Sequence, residues 1–298
     1  MNNIFKIANL NVRYNDTTPV VLHDISLNCK KYQSISLIGE SGSGKTTLAK
    51  VIMGVLPPFS GSVNVFGKDI YSRDFHDIKT LRRRYQMIFQ DSQAVFDPLM
   101  KIGKSLEEIL YINNMRDDYS KRISKVLELV KLPENVLGKY ISELSGGLRQ
   151  RAGIARALLT EPEFLIADEP TSALDVSLQG MIIKLFQEIQ KTATFMFITH
   201  DLALITHISE KVLVLYNGYA VEYGPTADVI SKPRHPYTEL LISAHRFRVG
   251  RKTTGINSPD TNCCPFVNYC KRKRKICEEV FPDLKTEENR SYRCHFPL

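Results

Sequence analysis

The octapeptide Gly39-Glu40-Ser41-Gly42-Ser43-Gly44-Lys45-Thr46 fits the pattern G-x-x-x-x-G-K-[ST] at every position, and it limits this chain more than any other feature. Its glycines let the backbone turn so tightly that successive N–H groups face inward, towards anionic oxygens. A helix opening at Lys45 adds the positive end of its dipole to the same point. The Lys45 ammonium reaches for the β- and γ-phosphates of a nucleotide, and the Thr46 hydroxyl for a Mg²⁺ ion. Ser34 to Ile38 ahead of the loop reads as a strand, and Lys45 to about Val55 as a helix stopped at Leu56-Pro57-Pro58. That strand–loop–helix setting is the one such a loop needs. A chance match arises in only about one chain of this length in a hundred.

A phosphate loop of this kind requires a carboxylate for the metal and a group that orients the attacking water. Phe164-Leu165-Ile166-Ala167-Asp168-Glu169 offers both at the end of an apolar strand. Asp168 is placed to hold Mg²⁺, and Glu169 to polarise water. Leu144-Ser145-Gly146-Gly147-Leu148-Arg149-Gln150-Arg151 precedes a helix expected to run through Leu158, so Ser145 and the two glycines form a second anion-binding helix end. Two such ends on one chain point to a triphosphate sandwiched between two chains.

At 298 residues, with 43% hydrophobic and 24% charged side chains, the chain has room for one α/β core and an appendage. Residues 4–8 and 19–28 alternate as half-buried strands do, and Ser62 to Phe66 reads as another strand closed by Gly67. Helical spacing dominates from about 100 to 160, most clearly in Ser105–Asn113 and Tyr119–Val130. Phe164–Ala167, Phe195–Thr199 and Val212–Tyr216 are further short strands, and the alternation predicts a parallel sheet covered on both faces. Beyond about Gly224 the pattern weakens among prolines. No apolar run approaches the ~20 residues of a membrane span. The N-terminal stretch lacks a signal-peptide pattern, so a cytoplasmic chain is expected.

The net charge of +8 admits a basic partner surface or a scattered solubilising one; Lys271-Arg272-Lys273-Arg274-Lys275 is the only dense basic run, and no nucleic-acid-binding motif accompanies it. Nucleic acid is therefore not an expected partner, although the run suits either anionic headgroups or solvent. Cys29 stands alone as a small core residue. Cys263, Cys264, Cys270, Cys277 and Cys294 crowd into the last 36 residues, a pattern that in a reducing compartment points to metal. Their spacing suits a [4Fe–4S] cluster or tetrahedral zinc, and the lack of a CxxC pair speaks against an ordinary zinc ribbon.

Taken together, residues 39–46, 144–151 and 164–169 resemble the nucleotide-binding domain of ATP-binding cassette (ABC) transporters, and the resemblance spans residues 1 to about 230. It implies a P-loop NTPase fold of the α/β class: a RecA-like core, an antiparallel β subdomain, a helical subdomain at about 93–155, and a cysteine-containing extension over 231–298. It implies an ATPase using ATP and Mg²⁺. By that likeness Tyr14 matches the aromatic that stacks on adenine, and Gly39, Glu40, Ser41, Gly42, Ser43, Gly44, Lys45, Thr46 and Thr47 surround the phosphates. Gln90, in Ile88-Phe89-Gln90-Asp91, matches the glutamine that touches Mg²⁺ and water beside Thr46 and Asp168. Ser145, Gly146, Gly147 and, in Ser172-Ala173-Leu174-Asp175, Asp175 act across the dimer. His200 matches the switch histidine, and Lys45, Gln90, Glu169 and His200 are the catalytic set.

Lys232-Pro233-Arg234-His235-Pro236-Tyr237-Thr238-Glu239 resembles the segment following the cassette in ATPases of the oligopeptide and dipeptide permease group, which also includes nickel importers. That likeness implies peptide uptake, with nickel or metal chelates as the alternative. It implies two membrane permease subunits, a second ATPase subunit in a heterodimer, an external solute-binding protein, and a place at the cytoplasmic face of the membrane. It also favours a [4Fe–4S] cluster on Cys264, Cys270, Cys277 and Cys294, with Cys263 as bystander. A soluble, non-transport ABC ATPase is the reading from another class; those proteins usually carry two cassettes or a long coiled-coil insertion.

Overall fold

The computed structural model describes residues 3–73, 78–115, 118–171, 174, 176–247 and 262–298. In chain order its elements are β1 (Asn3–Val12), β2 (Leu22–Lys30), β3 (Ser34–Ile38), α1 (Lys45–Ile52), β4 (Ser60–Val65), β5 (Lys68–Asp69), α2 (Ile78–Arg84) and β6 (Tyr85–Ile88). Then come α3 (Ile102–Ile112), α4 (Tyr119–Leu129), α5 (Gly146–Leu158), β7 (Phe164–Asp168), α6 (Val176–Ile189), β8 (Thr194–Ile198) and α7 (Leu202–Ile208). The remainder is β9 (Lys211–Tyr216), β10 (Tyr219–Pro225), α8 (Thr226–Ser231), α9 (Pro236–Phe247), α10 (Lys275–Glu279), β11 (Leu284–Glu287) and β12 (Arg290–Arg293).

The chain divides into two compact units. The first joins Met1–Ser72 to Ile198–Leu298 and carries strands in the order β5-β4-β1-β2-β10-β9-β3, with β12 on β10 and β11 on β12. β1 runs antiparallel to β2 and β4 because its alternation holds: Phe5, Ile7, Leu10 and Val12 are buried while Lys6 faces out. β3 is buried at all five positions and pairs parallel with β9. α1 turns Leu48, Ala49, Val51 and Ile52 inward. It stops at Ile52, short of the expected Val55, because Gly54 adopts φ of 68° and Val55 N–H turns back to Lys50 O at 2.9 Å. Cys29 is buried as expected, its thiol donating to Lys30 O and Gln33 O at 3.6 Å each.

The second unit, Arg73–Phe197, holds β6, β7 and all of β8 but its last residue, in the order β8-β7-β6, with β6 parallel to β7. β7 and β8 are buried throughout and apolar apart from Asp168 and Thr194, as short central strands are. Asp118 caps α4 by accepting Lys121 N–H at 3.1 Å, and the helix buries Ile123, Val126 and Leu127.

The strand pairing is mixed, as a parallel core with an antiparallel β subdomain requires. Parallel pairs occur between β3 and β9, between β6 and β7 and, at one register position, between β2 and β10, whereas β1, β2, β4 and β5 are antiparallel neighbours. The stretch beyond Gly224 is not patternless. Among its described residues are three helices and a hairpin; α8, α10 and both strands are too short to show a period, and β11 is exposed throughout.

Candidate active site

In the first unit the phosphate loop runs from the end of β3 into α1. Gly39 has φ of 152°, and a Cβ there would lie 2.2 Å from Leu215 O, so no other residue fits against β9. Gly44 precedes α1 with φ of 103°, and a Cβ there would meet Leu22 Cδ2 at 2.5 Å. Between them Ser43 N–H donates to Glu40 O at 3.2 Å, and Gly218 N–H, from the β9–β10 turn, donates to Ser43 O at 3.1 Å. Lys45 bends back over the loop: its Nζ donates to Gly39 O at 2.8 Å and Glu40 O at 2.7 Å, with Ser43 Oγ at 3.4 Å. An ammonium held on loop carbonyls is poised to exchange them for phosphate oxygens. Ser41, Gly42 and Thr46 are exposed, while Ser43 and Thr47 are buried.

Tyr14 stands beside the same helix start. Its hydroxyl shares a 2.9 Å hydrogen bond with Thr47 Oγ1, and its ring is half exposed, with Lys50 Nζ 6.0 Å from the centroid. The flat, half-exposed ring offers area on which a planar group can stack. His200 also belongs to this unit and is exposed, one residue after Thr199, whose N–H donates to Leu37 O at 3.3 Å. Asp201 caps α7 by accepting from Ala203 and Leu204 N–H groups, which fixes the turn presenting His200.

The second unit holds the remaining candidates. Asp168 closes β7 in a buried position, and Glu169 follows half exposed with φ of 46°, in the left-handed region that a non-glycine enters only at a cost. Gln90 lies exposed two residues past β6. Ser145 is exposed at the start of α5 and makes no side-chain capping bond, and Gly146 and Gly147 form the first turn. Arg149 secures this helix start: its guanidinium donates to Leu144 O, Gln93 Oε1 and Ser142 O at 2.8, 3.0 and 3.3 Å. Ser172, Ala173 and Asp175 lie outside the described residues.

Gln150 lies within the octapeptide 144–151, where sequence alone assigns it no part. It is buried, accepts Ser92 Oγ at 2.6 Å and donates from Nε2 to Pro170 O at 3.1 Å. One side chain thus ties the segment after Gln90 to the segment after Glu169. Its signal in the sequence was an amide on the same helical face as Ile154, where a polar group must find partners.

Cys264, Cys270, Cys277 and Cys294 line one small cavity with Phe266, Val267, Phe296 and Arg272, whereas Cys263 packs beside it. Burial pushes the Cys264 thiol up to about 12, and the neighbouring thiols of Cys294, Cys277 and Cys270 add to the shift. Four soft donors therefore converge. Even so, among the described residues no group of three or more His, Cys, Asp or Glu side chains stands in an arrangement that could hold a metal ion.

Residues 22–172, half of the chain, match the family model of the ABC transporter. The chain belongs to the ABC transporter family. Residues 221–277 match a second model, the oligopeptide/dipeptide transporter C-terminal region. Among relatives of this ABC chain, a Brucella abortus protein named as a peptide import ATP-binding protein is 38% identical over 285 residues, covering 91% of this chain and 85% of the relative. A Brucella ovis protein of the same name type is 41% identical over 228 residues, covering 75% and 72%. The cbiO1 component of the ABC transporter complex cbiONQ from Clostridium perfringens has a TM-score of 0.68 at 31% identity, covering 78% of this chain and 92% of that one. A dimeric ATP-binding cassette solved in a post-hydrolysis state with ADP and Pi has a TM-score of 0.67 at 27% identity, covering 74% and 98%. Among the described residues of this ABC subunit, no helix is long and apolar enough to cross a membrane. The matched C-terminal region and the peptide import relatives imply membrane permease partners.

Proposed function

We propose that this chain is the ATP-hydrolysing subunit of an ABC importer for oligopeptides or dipeptides. One observation carries the reading: a phosphate loop with Lys45 docked on its carbonyls occurs in a chain whose residues 221–277 match the oligopeptide/dipeptide transporter C-terminal region. The peptide import relatives, similar over most of their length, favour peptides over nickel.

The residues take the following parts. The amides of residues 39–46 and the Lys45 ammonium bind the triphosphate, and Tyr14 stacks on the base. By the resemblance, Thr46, Gln90 and Asp168 would each offer a hard oxygen of the kind Mg²⁺ takes, and the ion would neutralise phosphate charge. Glu169 takes a proton from the attacking water, and His200 contacts the γ-phosphate. Ser145, Gly146, Gly147 and Asp175 serve the nucleotide of the facing subunit. The dimeric state of a similar cassette supports that pairing; the partner is a second, different ATPase subunit. Residues 1–230 form the ATPase domain, with a helical subdomain at about 93–155, and residues 231–298 the extension. The assembly comprises two permease subunits and receives peptide from an external solute-binding protein, with this chain at the cytoplasmic face.

In the extension, the resemblance and the shared cavity of Cys264, Cys270, Cys277 and Cys294 are what support a [4Fe–4S] cluster, which would cross-link the segment rather than take part in hydrolysis; among the described residues the side chains as placed form no metal-holding group. Anaerobically purified protein should carry iron and acid-labile sulfide; its absence, or zinc in its place, rejects the cluster.

The importer reading is tested with the complex rebuilt in vesicles. ATP hydrolysis should rise when the solute-binding protein and a mixture of short peptides are added, with labelled peptide accumulating inside. Stimulation by nickel alone, or no co-purifying permease, contradicts it.

A further inference from the structure

The segment His235-Pro236-Tyr237-Thr238 opens α9, and nothing in the hydrolytic chemistry above uses it. Tyr237 is wholly buried, yet its hydroxyl oxygen accepts the backbone N–H of Glu40, inside the phosphate loop, at 2.9 Å. The carbonyl of that same peptide unit, Gly39 O, accepts from Lys45 Nζ at 2.8 Å. The Gly39–Glu40 peptide is therefore held at both ends, by the tyrosine on one side and the nucleotide-binding lysine on the other. It has no freedom to slide, because Gly39 is pressed against Leu215 O so closely that a Cβ would not fit.

The tyrosine is itself held. Its ring packs against Tyr216 at 4.5 Å and Phe266 at 5.5 Å between centroids, and Phe266 forms part of the wall of the cysteine-lined cavity. Burial keeps the phenol neutral by pushing its ionisation well up. The hydroxyl is thus a fixed, uncharged acceptor.

We propose that Tyr237 is a positioning residue for the nucleotide: it sets the Gly39–Glu40 peptide plane, and through Gly39 O the resting place of the Lys45 ammonium. The proposal rests on the reading of residues 39–46 as the nucleotide site. Its basis is preorganisation. A peptide already fixed needs no ordering when phosphate arrives, whereas one free to rotate must be ordered at that moment. A single neutral hydrogen bond of this kind changes affinity about fivefold.

The test compares the full chain with Tyr237→Phe, which deletes only the hydroxyl, and with Tyr216→Phe, which deletes a hydroxyl from the same ring cluster, near the Glu40 carboxylate, without removing a hydrogen bond to the loop backbone. Binding of MgATP and MgADP is measured together with hydrogen exchange at the Glu40 amide. In the unaltered chain the Glu40 N–H should exchange slowly. Tyr237→Phe should weaken both nucleotides about fivefold and speed that exchange, while Tyr216→Phe leaves both near their original values. Three results overturn the proposal: fast Glu40 exchange in the unaltered chain, full nucleotide affinity in Tyr237→Phe, or equal weakening in Tyr216→Phe, which would assign the effect to general loosening. If the unaltered chain protects Glu40 yet binds no MgATP, the nucleotide reading itself has failed.

Discussion

Glu169 shows what a residue name can and cannot convey. The pair Asp168-Glu169 after an apolar run announced a metal ligand and a water-orienting base, but not that Glu169 sits at φ of 46°, one residue past β7. A non-glycine backbone in that region costs on the order of 1 kcal/mol. Removing the base while keeping the shape separates binding from chemistry. Glu169→Gln should leave MgATP binding near its original strength and lower turnover by about a hundredfold or more, so that the dimer retains ATP. Single-turnover hydrolysis in the assembled complex measures this, and an unchanged rate would reject the assignment. Gln150 and Tyr237 were illegible for a different reason. Their partners, Ser92 with Pro170 and the Glu40 amide, lie 20 to 197 residues away, and no local pattern encodes such pairings.

At the scale of elements, legibility followed burial. β3, β7, β8 and β9 are short apolar runs buried almost throughout, and each was placed within a residue or two. β6 has four residues and β11 is exposed at every position, so neither repeats long enough to be read. The β11–β12 hairpin is held to β10 by the β10–β12 backbone ladder and also by a buried carboxylate. Glu222, on β10, accepts from Arg290 Nη2 at 2.6 Å and from the N–H groups of Arg234 and His235 at 2.8 and 2.9 Å. Its side chain is 0% exposed and that of Arg290 is 15% exposed, so solvent cannot replace the lost partner. Glu222→Ala should therefore destabilise the unit that contains the hairpin by about 3 kcal/mol. Thermal or urea unfolding checks it, and an unchanged midpoint would show that the carboxylate does not hold the hairpin.

Across the whole molecule the net charge is +8. The densest basic run, residues 271–275, is exposed but engaged: Lys273 pairs with Glu278 at 2.8 Å, Lys275 with Glu279 at 3.5 Å, and Arg274 lies 4.1 Å from the Phe296 ring centroid. Such partners describe a solvated face more than a membrane-binding one. Family membership was readable from three short motifs because phosphate chemistry fixes residue types at fixed spacing. The cargo was readable only through the segment that follows, which resembles one group of importers and matches its C-terminal region. All of these readings depend on nucleotide held by the loop ending at Thr46. The most direct measurement is MgATP affinity of the full chain carrying Lys45→Ala. Loss of a charged donor to phosphate should weaken binding by about ten- to a hundredfold and stop peptide uptake in the rebuilt complex. Unchanged affinity together with unchanged uptake would contradict the account.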